Sequence, residues 1–396
     1  MFRFYIIGID DNRQQHFCPE VLEIIGTHTV FSGGERHHEI VKPYLPAGAK
    51  WIGITVPLQN VFEEYKKYNE IVVFASGDPL FFGFANTIQR EMPDANIVLF
   101  PYFNSLQLLA HHLVMPYQDM HIVSLTGRAW LKFDQALIEG HEKIGILTDN
   151  KEHTPSAIAG RMMEYRYDNY VMHIGELLGN NDKEKVSTLS LTQVIGRSFA
   201  FPNNIILVKN EQRNRPLGIP DSEFNLLNGR AKMITKMPVR LLSLSMLDLR
   251  NRQVFWDVGF CTGSVSIEAK MQFPHLDIYA FEKRDEGKNL MYNNMHRFGI
   301  PGIHTIIGDF TETDISDIPH PDAVFIGGHG GKINEIVAKI ASVLKQDGVI
   351  VFNSVSDESR QLFLDALDSN NLKPDQSIAI KVDDFNTIDV MKATVF

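Results

Sequence analysis

A short loop between two apolar runs carries residues suited to binding a nucleoside. Residues 254–264 read Val-Phe-Trp-Asp-Val-Gly-Phe-Cys-Thr-Gly-Ser, and Glu282 closes the next apolar run, nineteen residues after Gly263. In a strand–loop–helix unit the loop backbone approaches the ligand, and an acid at the tip of the next strand accepts hydrogen bonds from the ribose hydroxyls. The pattern predicts a site for either a dinucleotide or S-adenosylmethionine.

The spacing within this loop favours the second ligand. Asp257 lies two residues before Gly259, and the five residues from Gly259 to Gly263 fit the loop of class I methyltransferases better than the longer dinucleotide loop. Cys261 stands where a middle glycine is usual. We predict that Cys261 is a packed small residue that permits a near-normal turn and excludes a backbone angle available only to glycine.

Two later segments of the C-terminal part add to this site. Asp309 follows a predicted strand over 305–308 and precedes Phe310, a position that lies beside the adenine in such folds. A strand beginning near Asp322 ends in Gly-Gly-His-Gly-Gly at 327–331, where so many glycines predict a close approach of the backbone. His329 in this segment is a candidate for donating a hydrogen bond to a carboxylate or to the ring of a substrate. The alternative is that His329 is an ordinary loop histidine.

A second candidate site lies near the N-terminus. Residues 76–83 read Ser-Gly-Asp-Pro-Leu-Phe-Phe-Gly after an apolar run, which predicts a tight turn in front of an aromatic wall. Alone, such a turn is usually only a connection between a strand and a helix. The histidine pairs at 37–38 and 111–112 lack the spacing of metal ligands, so we predict surface or packed histidines and no metal site.

The elements that must position these residues alternate between strands and helices, which predicts α/β layers throughout. Predicted strands before residue 210 cover 4–9, 71–75, 97–100, 121–125, 143–148, 170–174 and 204–209. Predicted helices cover 104–113 and a segment that Thr154 caps, with Pro155 at its first position.

The C-terminal part has a clearer pattern. A helix is predicted over 264–272, and apolar residues from Ile333 to Leu344 mark one face of another, with Gly348 at its C-cap. A strand over 349–352 and a helix near 358–367 follow. Two closing strands, about 376–382 and 387–396, are joined by a short turn and must pair antiparallel.

Composition sets the outer limits. The chain has 396 residues, a formal net charge of −10 and two cysteines, Cys18 and Cys261. This charge argues against a general nucleic-acid surface, the cysteines cannot form a disulfide framework, and no segment is predicted to span a membrane, so we expect a cytoplasmic protein. A polar stretch with two prolines predicts a linker over 211–222, between two α/β lobes (about 1–117 and 118–210) and a domain over 223–396.

The C-terminal motifs resemble a known family. Asp-Val-Gly-x-x-Thr-Gly-Ser-Val-Ser-Ile-Glu from Asp257, Phe-Ile-Gly-Gly-x-Gly-Gly from Phe325 and Met-Ile-Thr-Lys-Met-Pro-Val-Arg from Met233 are similar to the decarboxylating precorrin methyltransferases of cobalamin biosynthesis, over roughly 220–396. Cys261 and His329 depart from that pattern. The resemblance implies a Rossmann-like class I methyltransferase domain with S-adenosylmethionine at Thr235, Asp257, Gly259, Cys261, Gly263, Glu282, Asp309 and Phe310.

The N-terminal segments resemble the class III tetrapyrrole methylases over about 1–210. The segments that carry this likeness are 76–83, 101–107, 116–119, 121–128, 147–150 and 154–157, in that order. The resemblance implies S-adenosylmethionine held at Ser76, Gly77, Asp78, Ser105, Leu106 and Thr148. The family's opening Gly-x-Gly-Pro-Gly loop is replaced here by Gly8-Ile-Asp-Asp-Asn12. We expect this change to affect binding of the substrate rather than binding of the cofactor.

The two halves in this order are similar to fused precorrin methyltransferases. That likeness implies two S-adenosylmethionine sites per chain, methylation of a precorrin at carbons 5 and 15, decarboxylation of its ring C acetate, and a homo-oligomer. Because such a tetrapyrrole carries many carboxylates, basic side chains should line both clefts, although any one of them is more often a solvated surface charge. The candidates are Arg128, Arg230, Lys232, Lys236 and Arg240.

Three alternatives stay open from the residues alone. A methyltransferase acting on RNA or protein is disfavoured by the acidic charge and by the second half of the chain. A non-catalytic tetrapyrrole-binding protein has support only from the altered loops at 10–12 and at Cys261. A nicotinamide enzyme would place NAD at Glu282.

Overall fold

The computed structural model describes residues 2–230, 233–383 and 386–395, which form an α/β protein as predicted. The strands, β1 to β17 in chain order, are Arg3–Ile9, Val30–Gly33, Lys50–Gly53, Glu70–Ser76, Asn96–Phe100, His121–Ser124, Lys143–Leu147, Tyr170–Glu176, Lys185–Ser190, Asn203–Lys209, Val254–Val258, Asp277–Glu282, Ile303–Ile307, Ala323–Ile326, Val349–Ser354, Leu372–Ile380 and Ile388–Val395. The α-helices, α1 to α13, are Pro19–Thr27, Glu35–Val41, Leu58–Tyr65, Phe84–Glu91, Ser105–His112, Leu131–Glu139, Pro155–Glu164, Leu191–Val194, Met237–Met246, Ser264–Gln272, Glu286–Phe298, Ile333–Ala341 and Asp357–Ser369.

The chain divides into two compact units. The first comprises the chain up to Arg128 together with His141–Gly160 and Tyr170–Asn210. The second comprises Ala129–Gly140, Arg161–Asn169 and the chain from Glu211 onward. The domain limits drawn from the sequence stay a prediction.

The first unit contains two five-stranded sheets. One has the order β3-β2-β4-β1-β5 and is parallel throughout. Its strands β1 and β4 are buried on both faces, which explains their nearly continuous apolar runs. The other sheet has the order β6-β7-β10-β8-β9, in which only the β6–β7 pair is parallel.

The second unit is built on a seven-stranded sheet with the order β13-β12-β11-β14-β15-β17-β16. Its first five strands are parallel, and β17 runs antiparallel to both of its neighbours. The order reverses between β12-β11 and β14, so the loops after β11 and β14 leave the sheet next to each other. Ligands bind at such a switch point, outside the carboxyl ends of the strands. This is the Rossmann-like arrangement that the sequence predicted.

Most predicted elements are confirmed to within a few residues. Helix α10 has the predicted bounds, and the antiparallel pairing of the last two strands is confirmed. Helix α7 begins at Pro155, and the Thr154 hydroxyl accepts a hydrogen bond from the Ala157 amide at 3.3 Å, as an N-cap does. The last predicted strand extends to residue 396, which lies outside the described residues.

Strands β2, β3 and β9 were missed, and one helix end was misplaced. The first two are four residues long and end in glycine, and β9 alternates polar and weakly apolar residues, so none gives a strong periodic signal. Helix α12 ends at Ala341, so the prediction that Gly348 is its C-cap was wrong. The apolar residues Val343 and Leu344 continue the pattern beyond the helix because they also pack against the core.

A buried ion pair holds the polypeptide near the start of the segment from Glu211 onward, which belongs to the second unit. Glu268 on α10 and Arg240 on α9 are both inaccessible to solvent, and Arg240 Nε lies 3.3 Å from Glu268 Oε2. The Glu268 carboxylate also accepts hydrogen bonds from the Gly218 and Ile219 amides, at 2.9 Å each. The pair therefore holds residues 218–219 against two helices of the domain.

Replacing one partner of this pair should lower the free energy of unfolding of the second unit. In Glu268→Gln the buried Arg240 loses one of its two carboxylate partners, the other being Asp221, and the glutamine NH2 group presents donors to one of the Gly218 and Ile219 amides. We expect a loss of about 3–5 kcal/mol in the free energy of unfolding, measured by urea denaturation of the full chain.

The matched control is Glu223→Gln, which removes the same charge from a solvent-exposed pair with Arg297. This variant should cost less than about 1 kcal/mol. Equal losses in the two variants would contradict a structural role for the buried pair.

Candidate functional site

The loop after β11 begins with a buried acid. Asp257 has no solvent-accessible surface, and its Oδ2 accepts a hydrogen bond from the Ser266 hydroxyl at 2.6 Å. Its Oδ1 has no hydrogen-bond partner within the described part of the chain. Burial raises the pKa of Asp257 to about 7, because the charged form is separated from water.

The glycine-rich segments after β11 and β14 pack backbone against backbone. Gly259 has a φ of +78°, and a Cβ there would lie 2.8 Å from the carbonyl oxygen of Gly328. A Cβ on Gly327 would lie 3.0 Å from the Gly259 oxygen. The sequence predicted that these glycines allow a close approach, and the structure shows that two of them approach the other loop of the same site.

Cys261 adopts the backbone angle that we predicted it would exclude. Its φ is +51°, in the left-handed region that costs a non-glycine residue about 1–2 kcal/mol, so the cysteine accommodates the turn and the prediction that it would exclude such an angle was wrong. The Cys261 amide donates to Glu282 Oε2 at 2.9 Å, which holds the turn in place. Burial and the nearby Glu282 charge raise the pKa of the Cys261 thiol to about 11, so the thiol stays protonated and is not a nucleophile at neutral pH.

Glu282 stands at the carboxyl end of β12, as predicted. Its side chain is nearly buried, and Oε1 accepts hydrogen bonds from the amide and the guanidinium of Arg284, at 3.0 and 3.2 Å. Since each carboxylate oxygen can accept two hydrogen bonds, Oε2 keeps capacity for a ligand hydroxyl beside its bond to Cys261.

Asp309 and Phe310 follow β13. Asp309 Oδ2 lies 2.9 Å from both Lys283 Nζ and Lys332 Nζ, and its Oδ1 accepts from Thr311. The bonds from Lys332 and Lys283, in that order, hold the pKa of Asp309 well below its usual range. Phe310 is nearly buried and packs edge-on against Phe281, so it forms an apolar floor.

These residues line one cavity of about 740 Å³ in the second unit. Of the predicted site residues, those in its wall are Thr235, Lys236, Gly259, Cys261, Glu282, Asp309, Phe310 and His329. Asp257 and Gly263 support the loop rather than line the cavity. The volume falls within the range of about 300–1,000 Å³ that is typical of small-molecule sites.

Three basic side chains in the cavity wall were missed by the sequence reasoning. Lys283, Arg284 and Lys332 all line it, and Lys283 is 71% exposed. Lys283 and Arg284 come directly after Glu282 at the strand tip, a position that could have identified them. Asn353, at the end of β15, also lines the cavity and accepts a hydrogen bond from Ser243 at 3.1 Å.

His329 lies at the cavity, as predicted. Its Nδ1 accepts a hydrogen bond from the Gly331 amide at 3.2 Å, so in the neutral ring Nε2 carries the proton. The ring also contacts the edge of Phe352 at 5.9 Å between centroids. His329 is therefore held as a hydrogen-bond donor.

The predicted substrate-binding cations fall in different places. Arg240 is buried, and its donors go to Glu268, Asp221 and the carbonyl oxygens of Ile219 and Thr235, so we leave it out of the substrate-binding residues. Arg230 is exposed and does not line the cavity. Lys232 lies outside the described residues.

In the first unit, the turn after β4 meets the start of α5. A Cβ on Gly77, whose φ is +58°, would lie 2.8 Å from Asn104 Cα, and the Gly77 oxygen accepts from the Tyr102 amide at 3.3 Å. Asp78 Oδ1 accepts from the Leu80 amide at 2.9 Å. The structure thus packs Gly77 against Asn104, the N-cap residue that directly precedes Ser105 at the start of α5.

Three other predicted residues of this unit have different surroundings. Leu106 is buried in the core with Leu109, so only its backbone could contact a ligand. The Thr148 hydroxyl is nearly buried and hydrogen-bonds to Asn203. Arg128 is exposed and lies over the Phe82 ring, 5.0 Å from its centroid.

Comparisons with known proteins identify the family. Residues 228–373 match a family model described as a precorrin methyltransferase domain. The chain is 35% identical over 133 residues to the cobalt-precorrin-6B C(15)-methyltransferase (decarboxylating) of Salmonella typhimurium, an alignment that covers 34% of this chain and 68% of that relative. The chain belongs to the precorrin methyltransferase family.

Two further similarities were found. The chain is 28% identical over 365 residues to the precorrin-6Y C(5,15)-methyltransferase [decarboxylating] of a Sinorhizobium species, covering 91% of this chain and 86% of that one. A crystal structure of precorrin-6y C5,15-methyltransferase from Geobacter metallireducens is 31% identical, covers 47% of this chain and all of that one, and has a TM-score of 0.42. As a family member the chain is a methyltransferase that uses S-adenosylmethionine. Within the described residues, no helix is both long and apolar enough to cross a membrane.

Relieving the backbone angle at Cys261 should not harm this methyltransferase. Cys261→Gly removes the strain of the left-handed angle, which offsets or exceeds the larger conformational entropy of glycine in the unfolded state. We therefore expect the free energy of unfolding to rise by about 0 to 1 kcal/mol. Affinity for S-adenosylmethionine at this site, measured by calorimetry, should be unchanged or higher.

The control Cys261→Ala removes the thiol and keeps the strained angle, so it should bring no gain in stability. Clear weakening of cofactor binding in both variants would instead mean that the sulfur contacts the ligand.

Asp257 should impose a pH dependence on stability. Its pKa is raised from 3.8 to about 7 by burial, so folding disfavours the charged form. Stability from this group is therefore highest below about pH 4 and falls as the pH rises to about 7, by at most roughly 4 kcal/mol at 1.36 kcal/mol per unit. Asp257→Asn cannot ionise and should lack this fall.

The measurement is the free energy of unfolding of both proteins between pH 4 and 8. Other groups titrate alike in the two proteins, so the difference isolates Asp257. Parallel curves would show that Asp257 is ionised throughout this range.

Proposed function

We propose that the chain methylates a precorrin at carbons 5 and 15 and removes the carboxyl group of its ring C acetate. A relative that aligns along most of the chain is named for methylation at carbons 5 and 15 with decarboxylation, and a shorter relative is named for the carbon-15 reaction with decarboxylation. We assign the carbon-15 reaction and the decarboxylation to the second unit, because the match to a precorrin methyltransferase domain lies at 228–373 and the motifs of this part resemble those of the decarboxylating precorrin methyltransferases.

The cavity of the second unit suits S-adenosylmethionine. When bound, this cofactor supplies an electrophilic methyl group on a sulfonium. Glu282 Oε2 can accept from the ribose hydroxyls, and Phe281 and Phe310 provide apolar surface for the adenine. The close packing of Gly259 on Gly328 keeps side chains out of this part of the wall, so backbone atoms face the ligand.

The observation that carries the proposal is the set of cations at this same cavity. Lys283, Arg284 and Lys332 line it in a chain whose net charge is −10. A precorrin carries several carboxylates, and ammonium and guanidinium groups bind carboxylates with charge-assisted hydrogen bonds. The combination of a nucleoside site with local positive charge fits a polycarboxylate methyl acceptor.

The chain's own groups then mainly position the reactants. Methyl transfer needs the carbon nucleophile in line with the methyl group at about 3–3.5 Å. The meso carbons of a reduced tetrapyrrole are already nucleophilic, so a strong base is not required. We propose that the proton on His329 Nε2 is donated to a substrate carboxylate or to the ring.

For residues 1–210, which include the whole first unit, we propose a tetrapyrrole methylase domain that methylates carbon 5. Ser76, Gly77, Asp78 and Ser105 would hold a second S-adenosylmethionine, with Leu106 contributing only backbone, and Arg128 would contact substrate. Thr148 would act through its contact with Asn203. The chain would then bind two cofactors.

The remaining expectations from the sequence stay proposals. The linker would cover 211–222 and the class I domain 223–396, with Thr235, Gly259, Cys261, Glu282, Asp309 and Phe310 at its cofactor site. We propose a cytoplasmic homo-oligomer that binds no nucleic acid, because the net charge of −10 disfavours a polyanion.

Mass spectrometry of the product from the purified full chain tests the proposal. With a precorrin and S-adenosylmethionine, the product should gain two methyl groups and lose one carbon dioxide. Glu282→Ala should weaken cofactor binding in the second unit about 10- to 100-fold, since it removes a charged hydrogen-bond acceptor, and the product should then keep its carboxyl and gain one methyl.

The control is His304→Gln, an exposed residue of the same unit, which should leave the product unchanged. Calorimetry should find two S-adenosylmethionine sites per chain. A product with one methyl from the unaltered chain would mean that one half is inactive, and a retained carboxyl would exclude the decarboxylation.

A further inference from the structure

Three polar side chains of the first unit converge at the carboxyl end of β4. Ser76 is exposed there, in the turn that meets α5. Arg36 Nη2 donates a hydrogen bond to Ser76 Oγ at 2.8 Å, and His37 Nε2 lies 2.9 Å from the same oxygen. The histidine pair that the sequence assigned to the surface or core therefore contributes His37 to a predicted cofactor site.

The proton of His37 can be placed from its other contact. The Gly34 amide donates to His37 Nδ1 at 3.3 Å, so Nδ1 carries no hydrogen. A neutral imidazole has one N–H, which must then be on Nε2. Burial and the adjacent Arg36 charge lower the pKa of His37 to about 4, so the ring is neutral at physiological pH. His37 is therefore a donor to Ser76.

This arrangement fixes what the Ser76 hydroxyl can do. A hydroxyl has two acceptor lone pairs and one proton to donate. Arg36 and His37 occupy both lone pairs, so the Ser76 proton must point away from them. Because Gly77 packs against the backbone at Asn104, the turn cannot rotate freely, and the Ser76 donor keeps one direction.

Arg36 is itself held by the altered opening loop. Asp11 is buried, and its Oδ1 accepts from Arg36 Nη1 at 3.1 Å. Its Oδ2 accepts from Asn180 Nδ2 at 2.9 Å. Asp11 stands where the related family has its glycine–proline loop, so this departure gives the chain an anchor for Arg36.

We propose that Ser76 donates a hydrogen bond to a carboxylate oxygen of the ligand in this site, and that Arg36 and His37 are positioning residues that direct it. An anionic acceptor is favoured because the Arg36 guanidinium polarises the hydroxyl toward donation. The carboxylate belongs either to the methionine part of the cofactor or to an arm of the tetrapyrrole. The proposal rests on the proposed carbon-5 methylation by the first unit.

The first test compares Ser76→Ala with Ser76→Thr in the full chain. Loss of a hydrogen bond to a charged group should lower kcat/KM for carbon-5 methylation about 10- to 100-fold in Ser76→Ala, and Ser76→Thr, which keeps the hydroxyl, should recover most of it. Carbon-15 methylation in the same molecule is the internal control for folding. A raised KM for S-adenosylmethionine identifies the cofactor carboxylate, and a raised KM for the precorrin identifies the substrate arm.

The second test addresses the positioning residues. Gln can place its amide N–H near the position of His37 Nε2, whereas Leu cannot, so His37→Gln should restore most of the carbon-5 activity lost in His37→Leu. His112→Gln, at a partly exposed histidine of the same unit, should have no effect. Nitrogen-15 shifts of the His37 ring should report the Nε2–H tautomer.

The outcomes separate this inference from the function on which it rests. If the unaltered chain does not methylate carbon 5, the proposed function of the first unit fails, and the inference fails with it. If the unaltered chain methylates carbon 5 and Ser76→Ala does so equally well, only the inference is overturned. An Nδ1–H tautomer of His37, or equal activity of His37→Leu and His37→Gln, would overturn the positioning role.

Discussion

The second unit's site depends on a close backbone approach between the loops after β11 and β14. A Cβ on Gly259 would collide with the backbone of Gly328, and the sheet order brings the strands before these loops together. The Cys261 amide then ties the first loop to Glu282 on the other neighbouring strand. These contacts fix where a carboxylate and several backbone groups face the cavity. The two lysines in the cavity wall lie in the connections that leave these strands. Lys283 directly follows β12, and Lys332 lies between β14 and α12.

In the first unit, side-chain hydrogen bonds add to a close backbone contact at the predicted site. Its turn after β4 is packed as tightly as the loops of the second unit, with Gly77 against the start of α5. Where the related family has a glycine–proline opening loop, this chain has the buried Asp11 between Arg36 and Asn180. Buried polar groups of this kind are stable only when their partners are complete, and a complete network holds its members in one geometry. A fixed direction of the Ser76 hydroxyl follows from that constraint.

Charge is distributed unevenly along the chain, and burial decides what each charge does. Arg240 and Glu268 are a fully buried pair that holds the polypeptide, although Arg240 was one of the predicted substrate-binding cations. Lys283 and Lys332 share Asp309 at an accessible wall, which leaves positive charge available to an anion. A chain with a net charge of −10 therefore presents a local cationic surface at its cavity.

The sequence by itself determined the α/β class, most of the strands and some of the helices around both sites, and the positions of Asp257, Gly259, Glu282 and Asp309 at strand ends. Apolar runs, glycine spacing and acids at strand tips are local properties, so the chain order reveals them. Three short strands escaped because four to six residues carry little periodic signal. Only the tertiary structure decided that Cys261 takes a left-handed angle, that Arg240 is buried, and that Arg36 and His37 reach Ser76 from about forty residues away. Those outcomes depend on which elements pack together, and the local residue patterns do not reveal which elements do so.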